Sequence, residues 1–325
     1  MTARARTPES PDELLEHRLG LRLGPVHVRQ RLAMERDAEA VMAGNRSGRF
    51  RLKSITNAPE FIRFCLKLSG LLARGEKNSR RLVTTHNHFH LPGLPTAFEG
   101  FRILHLTDLH VDMDEENLQA VIRQIQPLDY DLCVLTGDYR RLTWGPVNAA
   151  LDGMARLRKA IQGDAYAVLG NHDSIRMLPA LEDMGYSLLM NEMTPIEAGD
   201  SHIYLAGVDD AHFYKAHDLH RAGHDIPSDG IGILLSHTPE IWREAAHAGY
   251  HVFLCGHTHG GQICLPGGIP VILDSDCPRH FGRGYWQFSN MQGYTSVGAG
   301  TSVVNVRLNC LPEVTIHTLT RRSYR

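Results

Sequence analysis

Leu254-Cys255-Gly256-His257-Thr258-His259-Gly260-Gly261 is the stretch on which the reading of this chain turns. The residues leading into it, His251-Val-Phe-Leu-Cys255, are apolar and β-branched or aromatic, which predicts a short buried strand. Gly256 marks where that strand gives way to a loop. Two imidazoles two residues apart on extended chain point to the same side, so His257 and His259 can serve one metal ion or two adjacent ones. Gly260 and Gly261 let backbone approach whatever is held there. Taken alone, the motif also fits a polar loop with solvated histidines, and the remaining sequence has to decide.

The chain has 325 residues, 42% of them hydrophobic and 22% charged, an ordinary globular composition long enough for a large α/β domain with an extension. A net charge of −2 gives no electrostatic case for nucleic acid. The charge is unevenly spread: residues 1–81 carry 17 Lys/Arg against 9 Asp/Glu, which leaves the rest of the chain at −10. The six cysteines have no C-x-x-C spacing, and Cys133 and Cys255 fall inside apolar runs, as expected of small buried hydrophobes in a reducing compartment. No apolar core follows the charged N-terminus and no run approaches a spanning helix, so the expectation is a cytoplasmic protein, at most peripheral on the inner membrane surface.

A basic extension, residues 1–80, precedes the main domain, residues 81–325. Its first part, residues 11–43, reads as charged surface helix. In Asn57 to Arg74 the residues Phe61, Phe64, Leu68, Leu71 and Leu72 recur at three- and four-residue steps behind Pro59, predicting an amphipathic helix. Flanked by Arg63, Lys67 and Arg74, residues 59–74 can contact a membrane, cover a lipid-binding groove, or dock on the domain's own core. His86, His88 and His90 share one face of a predicted strand, without a carboxylate nearby, and read as an exposed polar face.

From residue 100 onward, apolar strands alternate with helical patterns, as in α/β domains. Arg102 to Thr107 is a strand delivering Asp108-Leu109-His110; Asp131 to Thr136 delivers Gly137-Asp138; Ala165 to Leu169 delivers Gly170-Asn171-His172-Asp173. A strand over 231–235 ends in Ser236-His237, and 251–255 leads to His257 and His259. Successive strand ends thus present carboxylate, amide or imidazole groups at one sheet edge, where open α/β folds bind ligands. His212, Arg279 and Arg283 are further polar loop candidates for substrate contact.

This order of motifs resembles the calcineurin-like metallophosphoesterase superfamily, from Phe101 to Gly261. The resemblance implies a four-layer αββα sandwich of two mixed β-sheets and a two-metal site. Carried over, one metal takes Asp108, His110 and His259, the other takes Asn171, His237 and His257, and Asp138 bridges them. Oxygen and imidazole ligands without thiolate suit two divalent ions, Mn²⁺ first, with Fe or Zn²⁺ as alternatives. Such a pair can hold phosphate oxygens and activate water for in-line attack. His172, beside a ligand but not one itself, is the expected general acid, with Asp173 orienting it.

The tail, Gly260-Gly-Gln-Ile-Cys-Leu-Pro266 and Arg307-Leu-Asn-Cys-Leu-Pro-Glu-Val-Thr-Ile316, resembles a bacterial phosphodiesterase branch that includes UDP-2,3-diacylglucosamine hydrolases. Val297-Gly298-Ala299-Gly300 stands where that branch leads one to expect an Arg-Gly turn. The implied activity is a phosphodiesterase or pyrophosphatase acting on a lipid-linked nucleotide such as UDP-2,3-diacylglucosamine. The alternatives are a general phosphodiesterase on small soluble nucleotides and a non-catalytic scaffold of the same fold.

Overall fold

The computed structural model describes residues 10–45 and 58–321. Residues 1–9, 46–57 and 322–325, which include the N-terminal stretch read for a leader, lie outside the described residues. In chain order the strands of the first half are β1 (Val83–His90), β2 (Arg102–Leu106), β3 (Leu132–Leu135), β4 (Ala165–Ala167), β5 (Ser187–Leu188), β6 (Glu192–Ala198) and β7 (Ser201–Gly207). Those of the second half are β8 (Gly232–Leu235), β9 (Val252–Cys255), β10 (Cys264–Leu265), β11 (Ile269–Pro270), β12 (Gly284–Phe288), β13 (Met291–Thr295) and β14 (Glu313–Thr320). Twelve of them form two six-stranded sheets, ordered β1-β14-β2-β3-β4-β5 and β12-β13-β9-β8-β7-β6. In the first, β2 to β5 run parallel while β14 lies antiparallel to β2. In the second, β7, β8, β9 and β13 are parallel, with antiparallel β6 and β12 at the edges.

Side-chain alternation along the strands sorts the core into three layers of contact. Leu132 and Val134 of β3 face Ile233, Leu235, Val252 and Leu254 between the sheets. Their neighbours Cys133 and Leu135 face outward, against Leu118, Val121 and Met154 of helices α5 (Glu115–Ile125) and α6 (Asn148–Arg158). On the second sheet Leu234 and Phe253 turn outward, to Ala245 of the helix Trp242–His247 and to Trp286. The result is the expected αββα sandwich of two mixed sheets.

The extension is not a surface appendage. Helices α1 (Pro11–Leu23) and α2 (Pro25–Asn45) bury Leu19, Leu23, Val28 and Leu32 in the same core as Leu104, Leu106 and Met177, so residues 11–32 and the main domain share one core. Helix α1 starts on a capping box in which the Ser10 hydroxyl accepts from the Glu13 amide and the Glu13 carboxylate accepts from the Ser10 amide. Helix α3 (Ala58–Leu68) packs Ile62 and Leu66 on Val304, Val306 and Leu308, while Phe61, Phe64 and Leu68 stay exposed. Helix α4 (Leu72–Ser79) follows and accepts the Arg307 amide at Gly75 O. His86, His88 and His90 lie exposed along β1, as expected of a polar face. Strand β6 was not legible from the sequence because Pro195 interrupts it, and it lies at a sheet edge, where proline is tolerated. Among the described residues no helix is long and apolar enough to cross a membrane.

Candidate metal centre

The parallel strands β2, β3 and β4 of one sheet and β8 and β9 of the other all end at one edge of the sandwich. The chain keeps pairing beyond the strands: Asp108 N donates to Gly137 O and His110 N to Asp138 O, both at 3.0 Å, while Gly256 N donates to His237 O at 2.8 Å. The loops are therefore fixed relative to one another before any side chain is considered. Asp108, His110, Asp138, His257 and His259 all take left-handed backbone, with φ of 51°, 40°, 58°, 72° and 49°. Each such residue costs about 1–3 kcal/mol, and strain of this kind gathers at functional sites. Gly256 has to be glycine because a Cβ there would lie 2.3 Å from Asp108 Oδ2, and one on Gly170 would lie 2.3 Å from Asp138 Oδ1.

Two ligand groups result. Asp108, His110 and His259 are buried and bring one ligand atom each within 4.8 Å of one another, and so do Asp138, His237 and His257. Asn171 joins the second group through Oδ1, 2.9 Å from His237 Nε2. Asp138 Oδ2 lies 3.3 Å from His237 Nε2 and 3.9 Å from His110 Nε2, so it faces both groups. All seven residues expected from the sequence are thus together.

The hydrogen bonds leave these atoms in want of a cation. His110 Nδ1 lies 2.8 Å from Arg140 O and His237 Nδ1 2.7 Å from Thr136 O. A carbonyl only accepts, so in the neutral rings Nδ1 carries the proton and Nε2 presents a lone pair. His237 Nε2 then faces Asn171 Oδ1, Asp138 Oδ2 and His257 Nδ1, at 2.9, 3.3 and 3.2 Å. His259 Nε2 faces His110 Nε2 at 3.3 Å and Asp108 Oδ1 at 3.4 Å. The lone pairs on His237 Nε2, Asn171 Oδ1 and Asp138 Oδ2, crowded in this way, repel unless a positive charge lies among them.

Burial pushes His110 down to about 4, and His257 and His259 well below the usual imidazole range. Burial opposes a charge on His237 too, but Asp138 and Asp108 outweigh it and hold its pKa up at about 10. A proton there fills the place that a divalent ion takes. The donor set fits two such ions, which when bound supply Lewis-acid activation of phosphoester and water oxygens.

The protein's own groups complete the site. His172 Nε2 lies 3.8 Å from Asp138 Oδ2, its side chain is 22% exposed toward the cleft, and Nδ1 is 3.4 Å from Thr143 Oγ1. Asp173 was expected to orient His172, but its carboxylate is taken up by backbone amides and the His172 ring instead lies near Thr143 and Asp138. The Asp173 carboxylate accepts the amides of Gly170, Asp138 and Tyr139 at 2.9, 2.8 and 2.9 Å, which makes it the clamp under the Gly137-Asp138 turn. The buried Arg140 guanidinium donates to the His172 carbonyl and to Thr143 O and Gly145 O. Arg307, fully buried, donates to Val297 O at 2.7 Å, Gly300 O at 2.6 Å and His259 O at 3.3 Å.

Arg140 and Arg307 escaped sequence reading because an isolated arginine in a loop looks like solvated charge; the one signal was the position of Arg140, two residues past Asp138. Of the polar loop candidates, Arg279 and Arg283 donate to Pro270 O and Gly268 O and so brace the β10–β11 hairpin. His212 donates toward Glu240, with its ring 4.2 Å from that of His257.

A cavity of about 660 Å³ opens from the centre. Asp138, Asn171, His172, His257 and His259 line it, together with the apolar side chains of Phe61, Leu66, Ile263, Val271, Ile272 and Val303 and the polar Gln262, Asp274 and Ser302.

Comparison with known proteins agrees with this geometry. Residues 101–261 match the calcineurin-like phosphoesterase family. The chain is 30% identical over 236 residues to the uncharacterized metallophosphoesterase YkoQ of Bacillus subtilis, across 69% of this chain and 85% of the relative. It is 28% identical over 234 residues to the phosphodiesterase YaeI of Escherichia coli, across 66% of this chain and 81% of the relative. It is 23% identical over 244 residues to the UDP-2,3-diacylglucosamine pyrophosphatase LpxG of Chlamydia trachomatis, across 57% of this chain and 71% of the relative. With the family match falling on the residues that build the two ligand groups, the chain belongs to the calcineurin-like phosphoesterases and is a phosphoester hydrolase.

Proposed function

We propose that the protein is a dinuclear-metal phosphodiesterase or pyrophosphatase whose substrate carries an apolar tail, a lipid-linked nucleotide such as UDP-2,3-diacylglucosamine being the leading candidate. The observation that carries this reading is the cavity, polar at the ligand groups and apolar where α3, Val271, Ile272 and Val303 wall it. A phosphodiester or pyrophosphate linking a polar nucleotide to an acylated group matches that division, and LpxG offers a precedent among the relatives. In this reading Asp108, His110 and His259 hold one ion, Asn171, His237 and His257 the other, and Asp138 bridges them. Mn²⁺ leads, with Fe or Zn²⁺ as alternatives, since oxygen and imidazole donors accept all three.

His172 stands at the mouth, partly exposed and within reach of a leaving oxygen, and as general acid it donates its proton there. Thr143 and Arg140, rather than Asp173, fix its position. Residues 59–74 bring the mouth to the inner membrane surface.

The test is turnover of metal-loaded protein on UDP-2,3-diacylglucosamine beside bis-para-nitrophenyl phosphate, with products resolved by mass. Release of UMP far above the chromogenic rate is the expected result. Activity on the small diester alone would leave the hydrolase chemistry and discard the tail.

A further inference from the structure

Helix α3 has two apolar stripes and uses only one of them in the core. Ile62 and Leu66 satisfy its packing on Val304, Val306 and Leu308, yet Phe61, Phe64 and Leu68 remain 66%, 57% and 74% exposed. Docking on the protein's own core therefore accounts for one face and not for the other. The second stripe has company: Leu265, Ile269, Val271 and Ile272, on and just after the β10–β11 hairpin, and Val303 in the loop between β13 and β14 are all more than half exposed. With Leu71, these make nine of the sixteen exposed large hydrophobic residues among the described residues. Scattered apolar side chains are normal on a surface, whereas such a concentration marks an interaction site.

The three segments form one face because they hang from one support. Ile263 bridges to Leu308, Cys264 N donates to Leu308 O at 2.9 Å, and Asn309 Nδ2 donates to Cys264 O at 2.8 Å, which ties the hairpin to the strip on which α3 packs. Phe61, Val271, Ile272 and Val303, drawn from all three segments, line the catalytic cavity, so the face borders it. Phe64, Leu68, Leu265 and Ile269 are not among the residues that line the cavity, and all are exposed. Of the six Lys/Arg in residues 58–81, Arg63 pairs with Glu76 and Arg80 with Asp114 and Glu116, and Lys67, Arg74, Lys77 and Arg81 lie outside those pairs as the positive charge flanking the face.

We propose that α3, the β10–β11 hairpin and Val303 form a docking face for an anionic lipid bilayer, so that the cleft opens onto the headgroup layer and takes its phosphodiester from there. This rests on the reading of an apolar-tailed substrate. A lipid surface fits better than a protein partner or a second copy of this chain, because a rigid partner seated on residues that also line the cleft obstructs substrate, whereas a fluid bilayer delivers it. Apolar side chains beside Arg and Lys are what an interfacial helix needs to enter the headgroup boundary.

The test is sedimentation of the full chain with phosphatidylcholine vesicles, with and without about one-third phosphatidylglycerol, for which an anionic-surface binder discriminates strongly. Phe64→Glu and Ile269→Glu report on two separate segments, and retained hydrolysis of bis-para-nitrophenyl phosphate in water establishes that each variant is folded and loaded. Expected are binding to the anionic vesicles that weakens in salt, and a loss of about tenfold or more in the bound fraction for each variant. Wild-type protein left in the supernatant overturns the proposal, and so does binding that Ile269→Glu leaves untouched. A dimer of the wild type that Phe64→Glu dissociates would assign the face to a second copy. If vesicle binding behaves as expected while tail-bearing substrates are not turned over, the substrate reading fails and the docking face stands.

Discussion

Arg307 is a buried cation with no carboxylate in ion-pair or hydrogen-bond contact among the described residues, and its guanidinium instead collects the carbonyl oxygens of Val297, Gly298, Gly300 and His259. Burial lowers its pKa, yet a guanidinium stays charged. Gly300 N donates to Asp108 O and Ala299 N to Thr107 O, so Arg307 ties the loop under Asp108 to the loop that carries His259. We predict that Arg307→Met lowers metal content from two ions per chain to one, by loosening the Asp108, His110 and His259 group alone. Arg307→Lys should not restore it, since an ammonium cannot span the fork of carbonyls. His172→Ala should behave oppositely, keeping both ions and losing roughly 10²–10⁴-fold in turnover with a poor leaving group. Elemental analysis beside rate measurement separates the two; equal metal loss in both variants would remove His172 from proton transfer, and full metal in Arg307→Met would remove Arg307 from site assembly.

Helix α2 acts at the scale of an element, because it props the loop that carries Asn171 and His172. Arg31, wholly buried, pairs with Glu35 at 2.7 Å and Asp209 at 3.3 Å, donates to Asp173 O at 3.1 Å and stacks 3.4 Å over the Tyr214 ring. Glu35 in turn accepts the Ser174 hydroxyl and the Ile175 amide. Arg31→Met strands two buried carboxylates, so it should destabilise the fold by about 3–5 kcal/mol, measured by urea unfolding. Folded Arg31→Met should also turn over more slowly than wild type, and an unchanged rate would confine α2 to stability. None of this was legible in the sequence. Arg31 and Glu35 sit four residues apart, the spacing of an ordinary surface pair, and the partners that bury them come from 139 or more residues away. The strands that deliver Asp108, Asp138, Asn171 and His257 were legible for the opposite reason: apolar runs that stop at Gly, Asp or His signal strand and loop within a few residues.

At the scale of the whole molecule, the order of motifs gave the sandwich, while strand neighbours such as β14 between β1 and β2 depend on long-range pairing that no local pattern encodes. That pairing has a consequence inside the sandwich. β14 puts His317 against His105 of β2, with His317 Nε2 3.3 Å from His105 Nδ1 and His105 Nε2 2.8 Å from Thr136 Oγ1, all fully buried. Burial pushes His105 from 6.5 down to about 3 and His317 well below its ordinary value, so both are neutral in the folded protein. Because the unfolded chain takes up these protons first, their neutral burial favours the fold fully above pH 6.5, and that contribution is lost as pH falls toward about 3. Each histidine adds a slope of up to about 1.4 kcal/mol per pH unit in that window. His105→Gln, which keeps a polar partner for Thr136, should flatten the pH dependence of urea unfolding by about one proton between pH 6.5 and 5, measured in chelator so that metal release does not contribute. The buried histidines that do not contact His105 titrate alike in both proteins and cancel in the comparison, and burial, the larger cause of the His317 shift, keeps that ring neutral in both. Identical slopes for variant and wild type would mean that His105 carries its proton inside the sandwich.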